Sequence, residues 1–380
     1  MKKSLLALAV LGAFAGVASA QSSVTLFGTV DVNGRYIKNS GTDRRFSMGT
    51  DGINASQLGF RGVEDLGGGL KAGFSLVAGV NADSGTTNGK FFNRRSTVSL
   101  FSNGGELRLG RDYTPIFWNQ TIFDAFGTLG IGESNGVRQL ASGVRSDNSI
   151  GYFLPTNLGG FYGQAMVAAA EGGGTNAGGS SSDKVGGRLY SGRLGFAAGP
   201  FDVAVAYGTQ RYALATSVFG TVSPFNAPAY NVAAGQSQKT WNIGGSYDFG
   251  FLKLLAYYDN EKVTATGATG FPVAPGDVKE NMFSISTVIP MGQGEVHLGY
   301  ARSKVKTSSA LLIDPTVDQF AATYQYNLSK RTAMYGTLSR LANKDKTALT
   351  LGGLGTGAVP TAPTAGGNSK GLELGIRHFF

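Results

Sequence analysis

The feature that most constrains the fold is an alternation of apolar and polar residues with a period of two. It is clearest in "SVTLFGTVDVNGRY", residues 23–36, where Phe27 is the one exception on the polar face. One face carries Val24, Leu26, Val30 and Val32, and the other carries Thr25, Thr29, Asp31, Asn33 and Arg35. Side chains alternate between the two faces of a strand, whereas a helical face repeats every 3.6 residues. The segment is therefore predicted to be a strand with one apolar face and one polar face.

The same alternation returns along the chain, and no comparable length shows helical spacing, which predicts an all-β protein. It is clear in "KLLAYYDNEK", "NMFSISTVIP", "QFAATYQYNL" and "AMYGTLSRL", residues 253–262, 281–290, 319–328 and 333–341. Seven short connections have turn residues, within 64–69, 102–105, 156–160, 198–200, 248–250, 291–294 and 328–331. Eight longer ones lie near 38–55, 81–90, 114–147, 171–187, 212–237, 262–279, 306–316 and 342–369. Together they join sixteen predicted strands.

Charged residues on the face opposite the apolar one decide how these strands assemble. That face carries Asp31, Arg35, Arg61, Arg95 and Arg108. A sandwich would direct one face of each strand into a shared apolar core, but here water must lie on the charged side. An even number of antiparallel strands can close and remove its edges, and an outward apolar face is favourable only in lipid. The expected fold is a 16-stranded antiparallel transmembrane β-barrel with short turns at one end and long loops at the other.

Both chain ends fit export to such a membrane. Met1–Ala20 has two lysines, an apolar run and the small-x-small sequence Ala18-Ser19-Ala20, which is typical of a cleaved secretory signal. We expect the signal at 1–20 and the barrel domain at 21–380. The final "LELGIRHFF" places Leu372, Leu374, Ile376, His378 and Phe380 on one face. This is the pattern of a closing strand whose apolar face meets lipid and whose last aromatic residue lies at the membrane interface.

The composition argues against an enzyme and against metal or cofactor sites. The chain has no cysteine and only two histidines, which removes thiolate ligands and leaves little for imidazole chemistry. "GESNG", residues 132–136, fits the G-x-S-x-G pattern but lacks the strand-to-helix setting of a nucleophile elbow. Without its signal, the chain has 31 basic and 24 acidic residues, a net charge of +7. Since there is no aromatic-basic binding motif, we expect no nucleic-acid partner.

Six segments, in order along the mature chain, resemble the Gram-negative general porins of β-proteobacteria. They are "SSVTLFGTVDVNGRY", "SQLGFRGVEDLGGGLKAGFSL", "GELRLGRDYTP", "DNSIGY", "YNLSKRTAMYGTLSRLAN" and the final "GIRHFF". The resemblance implies an outer-membrane channel, normally a homotrimer, whose third external loop folds inward to narrow the pore. In this chain that loop is Thr114–Ser146.

Candidate pore residues come from alternation and from the resemblance. Alternation directs Arg35, Arg61, Arg95 and Arg108 into the lumen. Strict alternation from Leu109 turns Arg111 outward, but the porin pattern places the arginine of "LGR" at the constriction, which requires a bulge or strand end near Gly110. The loop offers Asp124 and Glu133 against Arg138 and Arg145, a weak acid balance that predicts a preference for anions.

The favoured function is passive diffusion of small hydrophilic solutes and inorganic ions through a water-filled outer-membrane pore that mildly prefers anions. The first alternative is a substrate-selective porin. The second is a largely plugged barrel that serves as a structural or adhesive surface protein, which would need a larger inserted domain than the third loop. Expected partners are outer-membrane lipid and lipopolysaccharide, whose phosphates would pair with basic residues on the loops and turns.

Overall fold

The computed structural model describes residues 23–87, 89–140, 143–169, 188–211, 216–217, 230–232, 236–265, 267–268, 276–307, 315–345, 347–352 and 361–380. The predicted signal, Met1–Ala20, and the predicted loop at 171–187 lie outside these residues. Neither of the two helical segments in this part of the chain has the length and apolarity of a membrane-spanning helix.

Strands dominate the described residues, and most of them form one antiparallel sheet. Its strands are β1 (Ser23–Asn39), β2 (Arg45–Thr50), β3 (Gln57–Gly67), β4 (Leu70–Gly79), β5 (Arg95–Ser102), β6 (Gly105–Tyr113), β7 (Arg145–Phe153), β8 (Phe161–Ala168), β9 (Leu189–Ala198), β10 (Phe201–Arg211), β13 (Ser237–Asp248), β14 (Lys253–Ala265), β16 (Gly276–Met291), β17 (Gly294–Thr307), β18 (Thr316–Asn327), β19 (Thr332–Asn343) and β20 (Asn368–Phe379). A small separate sheet contains β11 (Thr216–Ser217), β12 (Tyr230–Val232) and β15 (Gly267–Ala268). Between β6 and β7 lie helix α1 (Pro115–Ile122) and a 3₁₀ turn (Ser134–Val137).

The large sheet closes into a barrel because its first and last strands pair. Residues 29–39 of β1 pair with residues 369–379 of β20 in antiparallel register. On its other side, β1 pairs with β3 through residues 23–29 and with β2 through residues 32–37. Strands β2 and β3 therefore form one interrupted barrel strand, which brings the total to sixteen and confirms the predicted fold class.

The prediction of one long loop over 38–55 is wrong, because residues 45–50 of that range form strand β2. Phe46 and Met48 alternate outward and are 75% and 63% exposed, which extends the apolar wall beside β1. Residues 51–56 then leave the sheet and fold into the lumen. The carboxylate of Asp31 accepts hydrogen bonds from the amides of Ile53 and Asn54 at 2.9 and 2.8 Å. A polar side chain inside the barrel thus satisfies the backbone N–H groups of this segment.

The two faces of the strands have opposite chemistry, as the alternation predicts. On β20, Leu374 and Ile376 are 58% and 48% exposed. Glu373, which lies between Leu372 and Leu374 in the chain, is fully buried. The same inversion of the usual core runs around the barrel, because large apolar side chains are exposed and hydrogen-bonding side chains are buried. An apolar exterior around a polar interior is stable in a lipid bilayer, where the backbone groups are satisfied by the closed sheet.

The chain terminus is fixed in the sheet. The amide of Phe380 donates to the carbonyl of Gly28 at 3.1 Å, and the amide of Gly28 donates back to the carbonyl of Phe380 at 3.1 Å. The Phe380 ring lies over Gly28, where a Cβ atom would approach it within 2.2 Å. The apolar end of the sequence is therefore a strand end on the outer surface of the barrel.

Candidate functional site

The segment between β6 and β7 lies inside the barrel and is held to its wall. Helix α1 starts with Pro115, whose fixed φ suits a first helical position. The Asn119 side-chain amide donates to the Ala204 carbonyl at 3.2 Å and to the Asn242 side chain at 2.9 Å, and Asn242 donates to the Ile116 carbonyl at 3.0 Å. These bonds attach α1 to β10 and β13.

Two phenylalanines after α1 pack against strand residues that have no side chain. Phe123 is fully buried over Gly244 of β13, and Phe126 lies over Gly299 of β17. A Cβ atom at Gly244 or Gly299 would lie 2.2 or 2.5 Å from the corresponding ring. Glycine at these inward positions lets the loop approach the wall closely.

The second half of the segment is held by ionic and backbone hydrogen bonds. Arg138 contacts Glu261 at 2.7 Å and Asp259 at 3.3 Å, and all three side chains are at most 3% exposed. The Glu280 carboxylate accepts the amides of residues 139 and 140 at 2.8 and 2.7 Å. Burial lowers the pKa of Arg138, but the carboxylates of Asp259 and Glu261 outweigh that effect and raise it well above its ordinary value. Arg138 therefore stays charged and anchors the loop.

Beside this segment the barrel interior contains an open cavity of about 870 Å³. We call it the arginine cavity. Its charged lining consists of Arg35, Arg61, Arg94, Arg95, Arg111, Arg145, Asp51 and Glu133. The loop contributes Phe117 and Trp118 to the lining, and Tyr113 at the end of β6 stacks on Phe117 with ring centres 5.6 Å apart. Among the described residues, six guanidinium groups thus face two carboxylates, an excess of four positive charges at the lining.

Carboxylates behind the lining neutralise half of these arginines. The pairs are Arg35–Glu373 at 2.5 Å, Arg95–Asp112 at 2.8 Å and Arg111–Asp147 at 2.7 Å. Arg145 donates to the Tyr113 hydroxyl at 3.0 Å and lies 4.4 Å from the centre of its ring. Arg61 lies 5.3 Å from the Phe27 ring and, like Arg94, has no carboxylate within salt-bridge distance in the described part of the chain.

Arg111 faces the cavity because the sheet is irregular at the preceding residue. The pairing of β6 with β7 shifts register between Gly110 and Asp112, and Gly110 has a φ of +124°. That conformation is readily available only to glycine. The bulge turns Arg111 inward, where it also donates to the Asn93 carbonyl at 2.7 Å. This bulge is the irregularity near Gly110 that an inward-facing Arg111 requires.

Three of the predicted pore residues do not line the arginine cavity. Arg108 binds Glu106 and Asp112, and its guanidinium lies 4.1 Å from the centre of the Phe153 ring. Asp124 is buried on the wall side of the loop, where it accepts hydrogen bonds from Phe126 and Ser134. Arg138 also faces the wall, where it binds Asp259 and Glu261.

Two lining residues were missed by the sequence reasoning, Arg94 and Asp51. Arg94 precedes β5, so strand alternation does not apply to it. Asp51 follows β2 and has a φ of +63°, a backbone conformation that the sequence did not indicate. The two adjacent arginines in "NRRS" were the available signal for Arg94. Charged side chains are rare on a lipid-facing wall, so neither arginine was expected to point outward into lipid.

The two cavity carboxylates are shifted toward their neutral forms. Burial, reinforced by the charge of Asp124, raises the pKa of Glu133 well above its usual range, although Arg35 acts against the shift. Burial also raises the pKa of Asp51, while its hydrogen bond from the Ser56 amide and the charge of Arg94 oppose it. Each carboxylate therefore loses its charge at a higher pH than an ordinary acid, and that loss makes the cavity more positive. Within the described residues no group of three or more potential ligands is placed to hold a metal ion.

A closed barrel with an apolar exterior, a polar interior and an inward loop beside an open cavity defines a membrane channel of the porin class. The chain matches the Gram-negative porin family over residues 7–346. It is 40% identical to outer membrane porin protein 32 of Delftia acidovorans across the whole of both chains. It is 31% identical to an outer membrane porin protein of Bordetella pertussis, covering 88% of this chain and 93% of that one.

A solved structure agrees with these relatives. The anion-selective porin from Comamonas acidovorans is 36% identical, with a TM-score of 0.78 over 95% of this chain and 100% of that chain. The present chain therefore belongs to the Gram-negative porin family and is an outer-membrane β-barrel channel.

Proposed function

We propose that this porin is a passive diffusion channel that mildly prefers anions, and that the arginine cavity with the segment Thr114–Ser146 forms its constriction. The observation that carries the proposal is the charge of the cavity, where six arginines face Asp51 and Glu133. In this proposal the chain is a channel and not an enzyme, and its solutes are small hydrophilic molecules and inorganic ions.

The pairing of the arginines explains why the preference should be mild. Arg35, Arg95 and Arg111 each contact a carboxylate, so their fields are largely cancelled in the water beside them. Arg61, Arg94 and Arg145 remain without such partners among the described residues, and they supply most of the field that acts on a passing ion. In a narrow pore few water molecules and counter-ions screen such charges, so a small excess biases permeation.

The similarity to the anion-selective porin from Comamonas acidovorans supports the same direction of selectivity. We also propose a homotrimer, as the family resemblance implies, with residues 1–20 removed on export. Light scattering of the detergent-extracted protein after size-exclusion chromatography measures the number of chains, and N-terminal sequencing locates the mature start.

The direct test is the zero-current potential of the purified wild-type porin in a planar bilayer under a KCl gradient. We expect open pores without an energy source. The sign of the zero-current potential should show that chloride permeates more readily than potassium. A zero-current potential of the opposite sign, which means that potassium permeates more readily, would show that the external mouth or the loop carboxylates control selectivity. Non-conducting bilayers after verified insertion would contradict the channel itself.

A further inference from the structure

Four lysines stand directly opposite one another on four neighbouring strands. Lys239 of β13 pairs in register with Lys262 of β14, which pairs with Lys279 of β16, which pairs with Lys306 of β17. We call this set the lysine row. Each lysine lies one to three residues from the loop end of its strand.

All four side chains point away from the lumen. Their strand neighbours Glu261, Glu280 and Val305 are fully buried inside the barrel, and alternation therefore directs the lysines outward. Lys239, Lys279 and Lys306 are exposed, and the Lys262 side chain is 42% exposed. The lysine row is consequently separate from the arginine cavity and faces the membrane side of the barrel wall.

Like charges directly opposite each other in a sheet destabilise it. The one carboxylate that contacts the lysine row in the described part of the chain is Asp277, which binds Lys262 at 2.6 Å. Asp318 lies further round the wall and is already bound by Arg302 and Lys344. The lysine row thus keeps an excess of positive charge that an anionic partner would relieve.

The residues below the row place it at the level of lipid headgroups. Trp241, Tyr258 and Phe283 follow on the same outer face, and the Trp241 and Tyr258 rings lie 5.3 Å apart. Aromatic residues on the outer face, of which Trp241 and Phe283 are exposed here, mark a membrane interface. Phe283 is four residues below Lys279, about 13 Å along the strand. The lysines therefore lie on the external, water-facing side of this aromatic belt.

Further down the same sector, the outer wall contains an apolar concavity of about 680 Å³. Ile285 and Leu298 of β16 and β17 line it, and Ala322 of β18 keeps it open because its side chain is short. Its rim carries Arg340 and Lys370, which pair in register on β19 and β20 and are both exposed. An amphiphile with phosphates at the external interface and acyl chains below has the complementary chemistry.

We propose that the lysine row binds the phosphates of lipid A, the phosphorylated glucosamine lipid of the outer leaflet, and that the concavity beneath it receives an acyl chain. The Nζ groups of Lys239, Lys279 and Lys306 supply the charge that is not already neutralised. Bound lipid A seals this sector of the barrel to the outer leaflet and removes the repulsion within the lysine row.

Titration of the purified, detergent-solubilised porin with diphosphoryl lipid A, followed by native mass spectrometry, tests the proposal. The variant K239Q/K279Q/K306Q removes three charges but keeps the Lys262–Asp277 pair. The control K71Q/K253Q/K330Q removes three exposed charges at the turn end of the barrel. Each lysine near an anionic surface changes affinity about fivefold, so we expect about 100-fold weaker binding for the row variant.

The control should bind like the wild type, and K239R/K279R/K306R should retain binding because the charges are kept. Dephosphorylated lipid A should bind the wild type as weakly as the row variant binds the phosphorylated form. Equal affinity of the wild type for phosphatidylglycerol vesicles and lipid A vesicles would overturn the assignment to lipid A. Equal losses in the row variant and the control would overturn the site, provided that both variants show the heat-modifiable migration of a folded barrel.

Discussion

Replacing Arg61 and Arg94 with serine should reduce the chloride preference of the pore more than replacing any two of the cavity arginines that are bound to carboxylates. These two lack a carboxylate partner among the described residues, whereas Arg35, Arg95 and Arg111 each have one. Arg145 has no carboxylate partner among them either, but its replacement would break its hydrogen bond to the Tyr113 hydroxyl. Removing a paired arginine also leaves its carboxylate without a counter-charge. The measured permeability ratio would then report two changes in charge and not one. R61S/R94S is therefore the cleanest change in the fixed charge of the arginine cavity.

The expected magnitude follows from Coulomb's law. An ion that passes about 7 Å from a guanidinium in water gains or loses about 0.6 kcal/mol, so chloride and potassium differ by about 1.2 kcal/mol. At about 0.1 M salt the Debye length is about 10 Å, and screening leaves about half of this difference. Each arginine should then change the chloride-to-potassium permeability ratio about threefold, and both together up to about ninefold.

Zero-current potentials in planar bilayers under a KCl gradient measure this ratio. R61K/R94K keeps the charges and should retain the wild-type ratio, and K71S controls for loss of a cation at the turn end. Raising the salt concentration should weaken the wild-type preference as screening increases. If folded R61S/R94S keeps the wild-type ratio, or if K71S lowers it equally, the arginine cavity does not set selectivity.

Three further predictions concern other parts of the barrel. Deleting Phe380 removes two backbone hydrogen bonds to Gly28 and the ring that covers it, and should lower the amount of folded, heat-modifiable protein in the outer membrane. Because the pKa of Glu133 is raised, its charge is lost at a higher pH than that of an ordinary glutamate, so chloride preference should rise as pH falls through that range. E133Q should prefer chloride more strongly than the wild type at neutral pH and should change less as pH falls, with Asp51 left as the other cavity carboxylate, as measured by zero-current potentials. R138A leaves Asp259 and Glu261 buried without their cation and should cost about 3–5 kcal/mol in urea unfolding.

Matched variants separate these effects from general damage. F380Y keeps an aromatic end and should assemble normally, so poor assembly of F380Y would mean that the ring itself is not the reason. An E133Q pore that keeps the wild-type pH dependence would assign the titration to another group. R138K retains a cation at the loop anchor, and a loss as large as that of R138A would show that charge pairing is not what holds the loop.

The alternation of residues was enough to predict the barrel and the inward side of most strands. Val30 and Leu26 face out while Asp31 and Arg35 face in, because a period of two leaves each side chain only two directions once the sheet is formed. The apolar parity of the final strand likewise predicted that Leu374 and Ile376 face outward. Local pattern determines these features, so no knowledge of distant contacts was needed.

Contacts between distant residues decided the cavity and the interruption of the second barrel strand. The alternation did not show that residues 51–56 leave the sheet, since Asp31 supplies the hydrogen bonds from another strand. Nor did it show that Arg138 turns to the wall, because its partners Asp259 and Glu261 lie more than a hundred residues away.

Strand periodicity and the polarity of each strand face are local properties, so the order of residues was sufficient to predict a closed barrel with water inside and lipid outside. Which arginines act on the pore depends on contacts that form only in the folded barrel. An arginine biases ions only if no carboxylate cancels its field, and that depends on side chains brought together by the closure of the barrel and the inward loop. Arg61 and Arg94 differ from Arg95 in this respect because Asp112 lies beside Arg95.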